Sequence, residues 1–305
     1  MQKQKINSLV WFRNNLRVED NRSLTNAISN SDNIIGFINL DPRNFAPTKY
    51  GFKKTEKYRA KFLLESITEL KSQLDKLNIS LIVTHDYLDK SISSVIEQYE
   101  IKKVFLQSEW TRDELIEESY FPKNVDLIKD FDQFLYSPND VKTLYENIPR
   151  GFSNFRKKCE KYLSVDDILP IPEPLDFDNK IPIDYPIPSL SDIGFNLFDV
   201  HKKSVFKFKG GEINGKKRIN DYFFNTSNVS TYKLTRNGLI GEDYSSKFSP
   251  WLANGSVSVK YIYNQLKKYE SEVEQNDSTY WLYFELIWRD FFKYVSMQHK
   301  EKFFS

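Results

Sequence analysis

Four short runs in the first third of the chain are dense in apolar residues: SLVWF (8–12), NIIGFINL (33–40), ISLIV (79–83) and KKVFLQ (102–107). Runs of this length without a polar alternation read as strands covered on both faces. The segments between them have a longer period. Across 54–77, Tyr58, Phe62, Ile67, Leu70, Leu74 and Leu77 recur near helical spacing, and shorter helical patterns cover roughly 20–29, 87–100 and 111–120. Strand–helix repetition of this kind predicts an α/β fold, a parallel sheet with helices on both faces. The stretch NVDLIKDFDQFLY offers a fifth strand.

From about residue 165 the pattern stops. LPIPEPLDFDNKIPIDYPIPSLSD holds most of the prolines and no helical period, which suits an extended connector. Helical patterning then resumes, most clearly at 215–224, 259–273 and 278–300. The expected division is an α/β domain over 1–135, a linker over 136–205 and an all-α region over 206–305.

Composition adds restrictions. A net charge of +2 on 305 residues excludes a strong global field toward nucleic acid or membrane, while leaving room for a local basic surface. Aromatic residues reach 15%, enough for large cores or for a site that stacks flat rings. One cysteine, Cys159, excludes an intrachain disulfide and suits a reducing compartment. With three histidines beside it, a His/Cys zinc site is not expected. The N-terminal stretch lacks the apolar run of a signal peptide, and no segment reads as a membrane span, so a soluble protein is expected.

Four stretches carry candidate chemistry. GEDYSSKFSPWLANGSVS (241–258) gathers Tyr244, Ser245, Ser246, Ser249, Ser256 and Ser258 around Lys247, ahead of a proline-led helix start. Hydroxyls and a cation at a helix N-terminus suit a phosphate; a simple serine cap at Ser245 or Ser249 is the commoner arrangement on composition alone. In YWLYFELIWRDFF, Trp281, Glu285 and Trp288 fall within an arc of about 60°, with Arg289 and Phe292 at its edge. Either that stripe faces a large planar ligand or Glu285 pairs with an arginine inside the domain. Tyr232 and Arg236 lie four apart, so one helical face could grip a phosphate or stack on a base, or be an ordinary surface pair. Glu109 follows the strand 102–107, where open parallel sheets bind ligands, although a lone acid there is usually just solvated.

Taken in order, these stretches resemble the photolyase/cryptochrome flavoprotein family, and within it the DASH cryptochromes. LVWFRNNLRVEDNRSL is similar to the family's opening strand and turn. DPRNF, GFKKTEKYRAKFLLESITEL, KGGEINGKKRINDYFF, STYKLTRNGLIGEDYSSKFSPWLANGSVS and STYWLYFELIWRDFF resemble its later blocks, in register over most of the chain. The resemblance implies a Rossmann-like antenna domain able to hold a folate chromophore, and a helical domain that binds FAD. It also implies light-driven repair of cyclobutane pyrimidine dimers, in DASH members chiefly in single-stranded DNA, without a metal.

Carried over by motif, Tyr232, Ser245, Ser246, Lys247, Phe248, Ser249 and Trp281 would contact FAD, mostly its phosphates. The offset of Trp281 from Glu285 differs by one from the corresponding tryptophan in better-known photolyases. Arg236, Glu285, Trp288 and Arg289 would meet DNA and its flipped lesion, and Glu109 the folate. The chain stops at KEKFFS, whereas the family continues through further helices that hold the flavin ring. The expectation is therefore a truncated member with FAD binding weak or absent, inactive alone. It would be a fragment, a relic, or one half of a protein completed by a second polypeptide. The alternative is a non-enzymatic chromophore-binding module.

Overall fold

A computed structural model describes residues 6–300; the first five residues and 301–305, where most of KEKFFS falls, lie outside the described residues. Strands β1 (Asn7–Trp11), β2 (Asn33–Asn39), β3 (Ser80–Thr84), β4 (Ile101–Gln107) and β5 (Asp126–Asp130) form one parallel sheet in the order β3-β2-β1-β4-β5. Parallel pairing needs a crossover after each strand, and α1 (Arg22–Asn30), α2 (Lys57–Lys76), α3 (Leu88–Gln98) and α4 (Arg112–Ser119) supply them. Alternate residues over β1 and Phe12, which follows it, face opposite cores. Val10 and Phe12 pack with Leu24 of α1 and Leu70 of α2, whereas Leu9 and Trp11 pack with Ile92 of α3 and Phe121. The predicted α/β layering, helices on both faces, is the observed one.

After the sheet come α5 (Pro138–Leu144) and α6 (Phe152–Tyr162), neither foreseen from the pattern. Their segment is polar apart from a few anchors, Val141, Phe152, Phe155 and Cys159, and those anchors enter the core of the later helices. That core is built by α7 (Glu212–Asn220), α8 (Tyr232–Thr235), α9 (Ser249–Asn254), α10 (Val259–Glu272) and α11 (Asp277–His299). The α7 pattern expected at 215–224 begins earlier, at Glu212, and ends in a wider π-helical turn over Asp221–Asn225.

The proline-rich connector is extended, as its composition predicts, yet tied down. Asn179 bonds through its side chain to the N–H and C=O of Ile34 and to the carbonyl of Asn78, and Ile181 N–H donates to Ser80 Oγ. Ile181, Ile183 and Tyr185 pack on one sheet face, and Leu175, Ile187 and Leu190 on the other.

The sheet and the later helices meet at the loop after β1. Arg17 donates to the carbonyls of Asp20 and Gly255 and pairs with Asp132 at 2.8 Å; Asp20 pairs with Lys260 of α10 at 2.8 Å. Glu212 of α7 accepts from the N–H groups of Val18 and Glu19. The backbones approach so closely that a Cβ on Gly255 would lie 1.8 Å from Asn14 O, and Gly255 holds φ +69, which favours glycine.

Candidate functional site

Loop 241–249 is shaped by a residue that spacing did not single out. Arg218, buried on α7, donates to the carbonyls of Glu242, Ser245 and Ser246 and pairs with Asp243 at 2.9 Å. Its planar fork suits such multiple donation. Drawing the carbonyls inward leaves the Ser245 and Ser246 hydroxyls without a protein partner among the described residues. Lys247 takes φ +62, and its ammonium lies 3.6 Å from the ring centroid of Tyr244 with no carboxylate partner among the described residues. The nearby acids are already engaged, Asp243 by Arg218 and Glu242 by Lys207.

The expected serine cap is corrected here. Phe248, not Ser245 or Ser249, is the N-cap of α9, with no side-chain cap bond, and Ser249 is the first helical residue. The capping serine is Ser258, which accepts from Tyr261 N–H at the start of α10. Phe248 is instead a core residue, edge-on to Tyr222 and Phe223.

The second constellation divides. Arg236 Nη1 lies 2.7 Å from Glu285 Oε1, so of the two readings of the acid between indoles, the pairing with an arginine is realised. Arg236 also stands 5.4 Å from the ring centroid of Trp281, which stacks on Phe284 at 4.8 Å. Tyr232 is buried beside this pair, and burial, with the Glu285 charge behind it, pushes its phenol up to about 12. Trp288 turns elsewhere: its ring stacks on Phe152 at 3.6 Å and 11° and on Phe292 at 5.3 Å. Arg289 points toward the sheet domain, donating to the Gln133 carbonyl at 2.7 Å. Its neighbour Asp290 accepts from the N–H groups of Leu135 and Tyr136, and burial pushes that carboxyl up to about 7.

Glu109 lies just past β4. One oxygen accepts from Asn14 at 3.2 Å and from Gln107 at 2.9 Å. Asn14 belongs to the wall of a cavity of about 920 Å³ over the C-terminal ends of β1 and β2, closed by α2, α9 and the segment 200–209. Its volume is in the range of small-molecule sites. Glu109 itself sits behind that wall. Tyr58 and Phe206 give the cavity aromatic surface, and Glu114 and Glu117 give it an acidic corner; burial pushes the Glu117 carboxyl up to about 7. Among the described residues no cluster of His, Cys, Asp and Glu could hold a metal, and no helix is long and apolar enough to cross a membrane.

Comparison with known proteins finds relatives of the chain as a whole. A family model described as DNA photolyase matches residues 8–175. A cryptochrome DASH of Gloeobacter violaceus is 39% identical over 303 residues, covering 97% of this chain and 60% of that protein. One from Synechocystis sp. is 36% identical, covering 97% and 62%. The crystal structure of Synechocystis sp. PCC6803 cryptochrome superposes with a TM-score of 0.89 at 35% identity, covering the whole of this chain and 64% of that one. An archaeal photolyase from Sulfolobus tokodaii, solved with two FAD molecules, shares the fold at a TM-score of 0.67 and 19% identity, with 96% of this chain and 60% of that one covered. The chain thus spans 60–62% of the length of the two cryptochrome DASH relatives.

Proposed function

The chain belongs to the DNA photolyase family and is of the cryptochrome DASH type, and from that we propose that loop 244–249 receives the phosphates of FAD. The observation that carries this reading is the Arg218 clamp: it holds four acceptor atoms of residues 242–246, while the Ser245 and Ser246 hydroxyls have no protein hydrogen-bond partner and the Lys247 ammonium no carboxylate partner among the described residues. Such an arrangement suits a pyrophosphate, whose oxygens need donors and positive charge. Phe248 anchors the loop in the core, edge-on to Tyr222 and Phe223, and Tyr232 is buried in the same core.

FAD, when bound, supplies a light-excited electron donor, and the family activity proposed here is the splitting of cyclobutane pyrimidine dimers in single-stranded DNA. The residues that would meet the lesion are Glu285 and Arg236, now held against each other. A DNA phosphate reaching Arg236 would release Glu285 toward a base. Trp281 would flank that exchange. We place Trp288 and Arg289 nearer to the supporting shell, given their contacts with Phe152 and Gln133.

For this chain alone we propose weak FAD binding through the phosphate end. ADP and FAD should then bind with similar affinity, and the triple variant Ser245→Ala/Ser246→Ala/Lys247→Ala should lose both. Isothermal titration measures this. Stoichiometric flavin retained through gel filtration would overturn it, as would wild-type ADP affinity in the triple variant. Addition of a second polypeptide that encloses the ring should raise FAD affinity over that of ADP.

A second reading is favoured by the cavity of about 920 Å³, which the sheet and its covering segments enclose. We propose it as the seat of a light-harvesting chromophore, a folate or another flat aromatic, with Glu109 steadying the wall through Asn14. The protein would then act as a chromophore-binding module whether or not it turns over. Retention of an added folate, followed by absorbance, tests this.

A further inference from the structure

We propose that a strip of lysines and exposed aromatics, running from the turn 47–53 over the first turns of α2 to the segment 198–209, binds single-stranded nucleic acid. None of the residues assigned above to flavin or lesion belongs to it; Tyr58 and residues 206–209 are shared with the lining of the cavity of about 920 Å³.

The turn is held by its backbone. The N–H and hydroxyl of Thr48 both donate to Phe52 O, at 2.8 and 2.7 Å, and Gly51 N–H donates to Thr48 O at 2.9 Å. Pro47 and Lys53 pair across it. Its aromatics therefore contribute little to holding it, yet two are displayed. Tyr50 is 71% and Phe52 62% exposed, and their rings lie nearly parallel, 17° apart with centroids at 6.1 Å. Exposing two stacked rings to water is unfavourable unless something covers them.

The neighbouring surface says what kind of thing. Tyr58, at the start of α2, is exposed and meets Phe198 edge-on at 4.9 Å, and the Lys57 ammonium stands 5.0 Å from the Phe198 ring, so the two segments form one surface. Residues 49–61 and 198–209 carry ten lysines and arginines against two acids, Glu56 and Asp199, in a chain whose total charge is only +2. Lys54 pairs with Asp113 and Lys207 with Glu242. Among the described residues Lys49, Lys57, Lys202 and Lys203 have no carboxylate partner.

Ammonium groups alternating with exposed ring faces match alternating phosphates and bases. A duplex would satisfy the lysines but keeps its base faces stacked away from Tyr50 and Phe52. An anionic lipid surface would also satisfy the lysines, but favours one apolar cluster, whereas here the rings stand at two places along the charge.

The test uses the purified full chain, in the dark and without flavin, with a fluorescein-labelled oligothymidylate of about 12 nucleotides read by anisotropy. Tyr50→Ala/Phe52→Ala should weaken binding by at least about tenfold. Lys49→Glu/Lys57→Glu/Lys202→Glu should reduce the slope of log affinity against log salt by about 2. Both variants should keep the wild-type thermal midpoint, since all five side chains are exposed. Both should also keep the wild-type response to ADP, whatever it is, because loop 244–249 shares no residue with the strip. Wild-type oligonucleotide affinity in both variants would overturn the proposal. So would equal competition by a duplex with no loss in the aromatic variant, or binding confined to vesicles containing phosphatidylserine.

Discussion

Replacing Lys260 by methionine tests how the sheet and the later helices are joined. Lys260 is 4% exposed and Asp20 1% exposed, and their charged atoms are 2.8 Å apart. Asp132 and Arg17 form a second buried pair alongside, also at 2.8 Å. Methionine keeps most of the volume but leaves two carboxylates facing one guanidinium. Removing one partner of a buried pair costs about 3–5 kcal/mol, mainly because the charge left behind stays desolvated. Against a total stability of roughly 5–15 kcal/mol, that loss is a large fraction of the whole. The double variant Asp20→Asn/Lys260→Met removes both charges. Asparagine still accepts from Leu169 N–H, as Asp20 Oδ1 does at 3.0 Å, and suits the left-handed φ of +53 at position 20. The double variant should therefore recover at least about 2 kcal/mol of the loss, a coupling of the size contacting residues show. Urea unfolding followed by tryptophan fluorescence measures all three proteins. A Lys260→Met loss under about 1 kcal/mol, or a double variant no better than the single, would refute the joint.

Asp290 gives a pH dependence. Burial raises its carboxyl to about 7, whereas the unfolded chain releases that proton near pH 4. Between about pH 4 and 7 the folded form holds a proton that the unfolded form has lost, so this group makes stability fall as pH rises through that window. Asp290→Asn should flatten the slope there in unfolding experiments; an unchanged slope contradicts the assignment. Gly255→Ala should cost about 2 kcal/mol or more, since alanine would be strained at φ +69 and would meet Asn14 O. A wild-type thermal midpoint would rule that out.

The sheet was legible because β1 to β4 are short, largely buried and bounded by helical patterns, so period and length agreed; the edge strand β5 has no fully buried residue and was the weakest signal. Its order was not. Strand periodicity says that β1 is buried on both sides, not that β2 and β4 are its neighbours. Helices α5 and α6 escaped for a different reason. Their residues are largely polar, and the few apolar anchors become informative only once α11 stands opposite: Phe152 against Phe284, Trp288 and Phe291, and Phe155 against Tyr294. The connector was legible as extended, but its attachment through Asn179 depends on strand ends distant in sequence.

The site shows the same boundary between local and non-local information. Helical spacing places Trp281, Glu285 and Trp288 in one arc, and α11 is indeed helical there. What each side chain meets is decided by other segments: Arg236 arrives from the end of α8, and Phe152 from the start of α6. The hydroxyl-rich loop could be noticed from its own residues, but composition could not distinguish a cap from an anion site. The structure removes the cap, since no serine of the loop caps α9, and the loop's carbonyls bond to Arg218, 24 to 28 residues upstream. In KGGEINGKKRINDYFF nothing separates Arg218 from Lys216 and Lys217 except helical phase: Arg218 lies one residue before the buried Ile219, on the inner side of α7. A basic residue on the inner side of an amphipathic helix, next to the buried Ile219, is the signal that could have revealed the clamp. The loop is therefore a dependent structure. A cation on another helix occupies its carbonyls, while the Ser245 and Ser246 hydroxyls have no protein partner among the described residues.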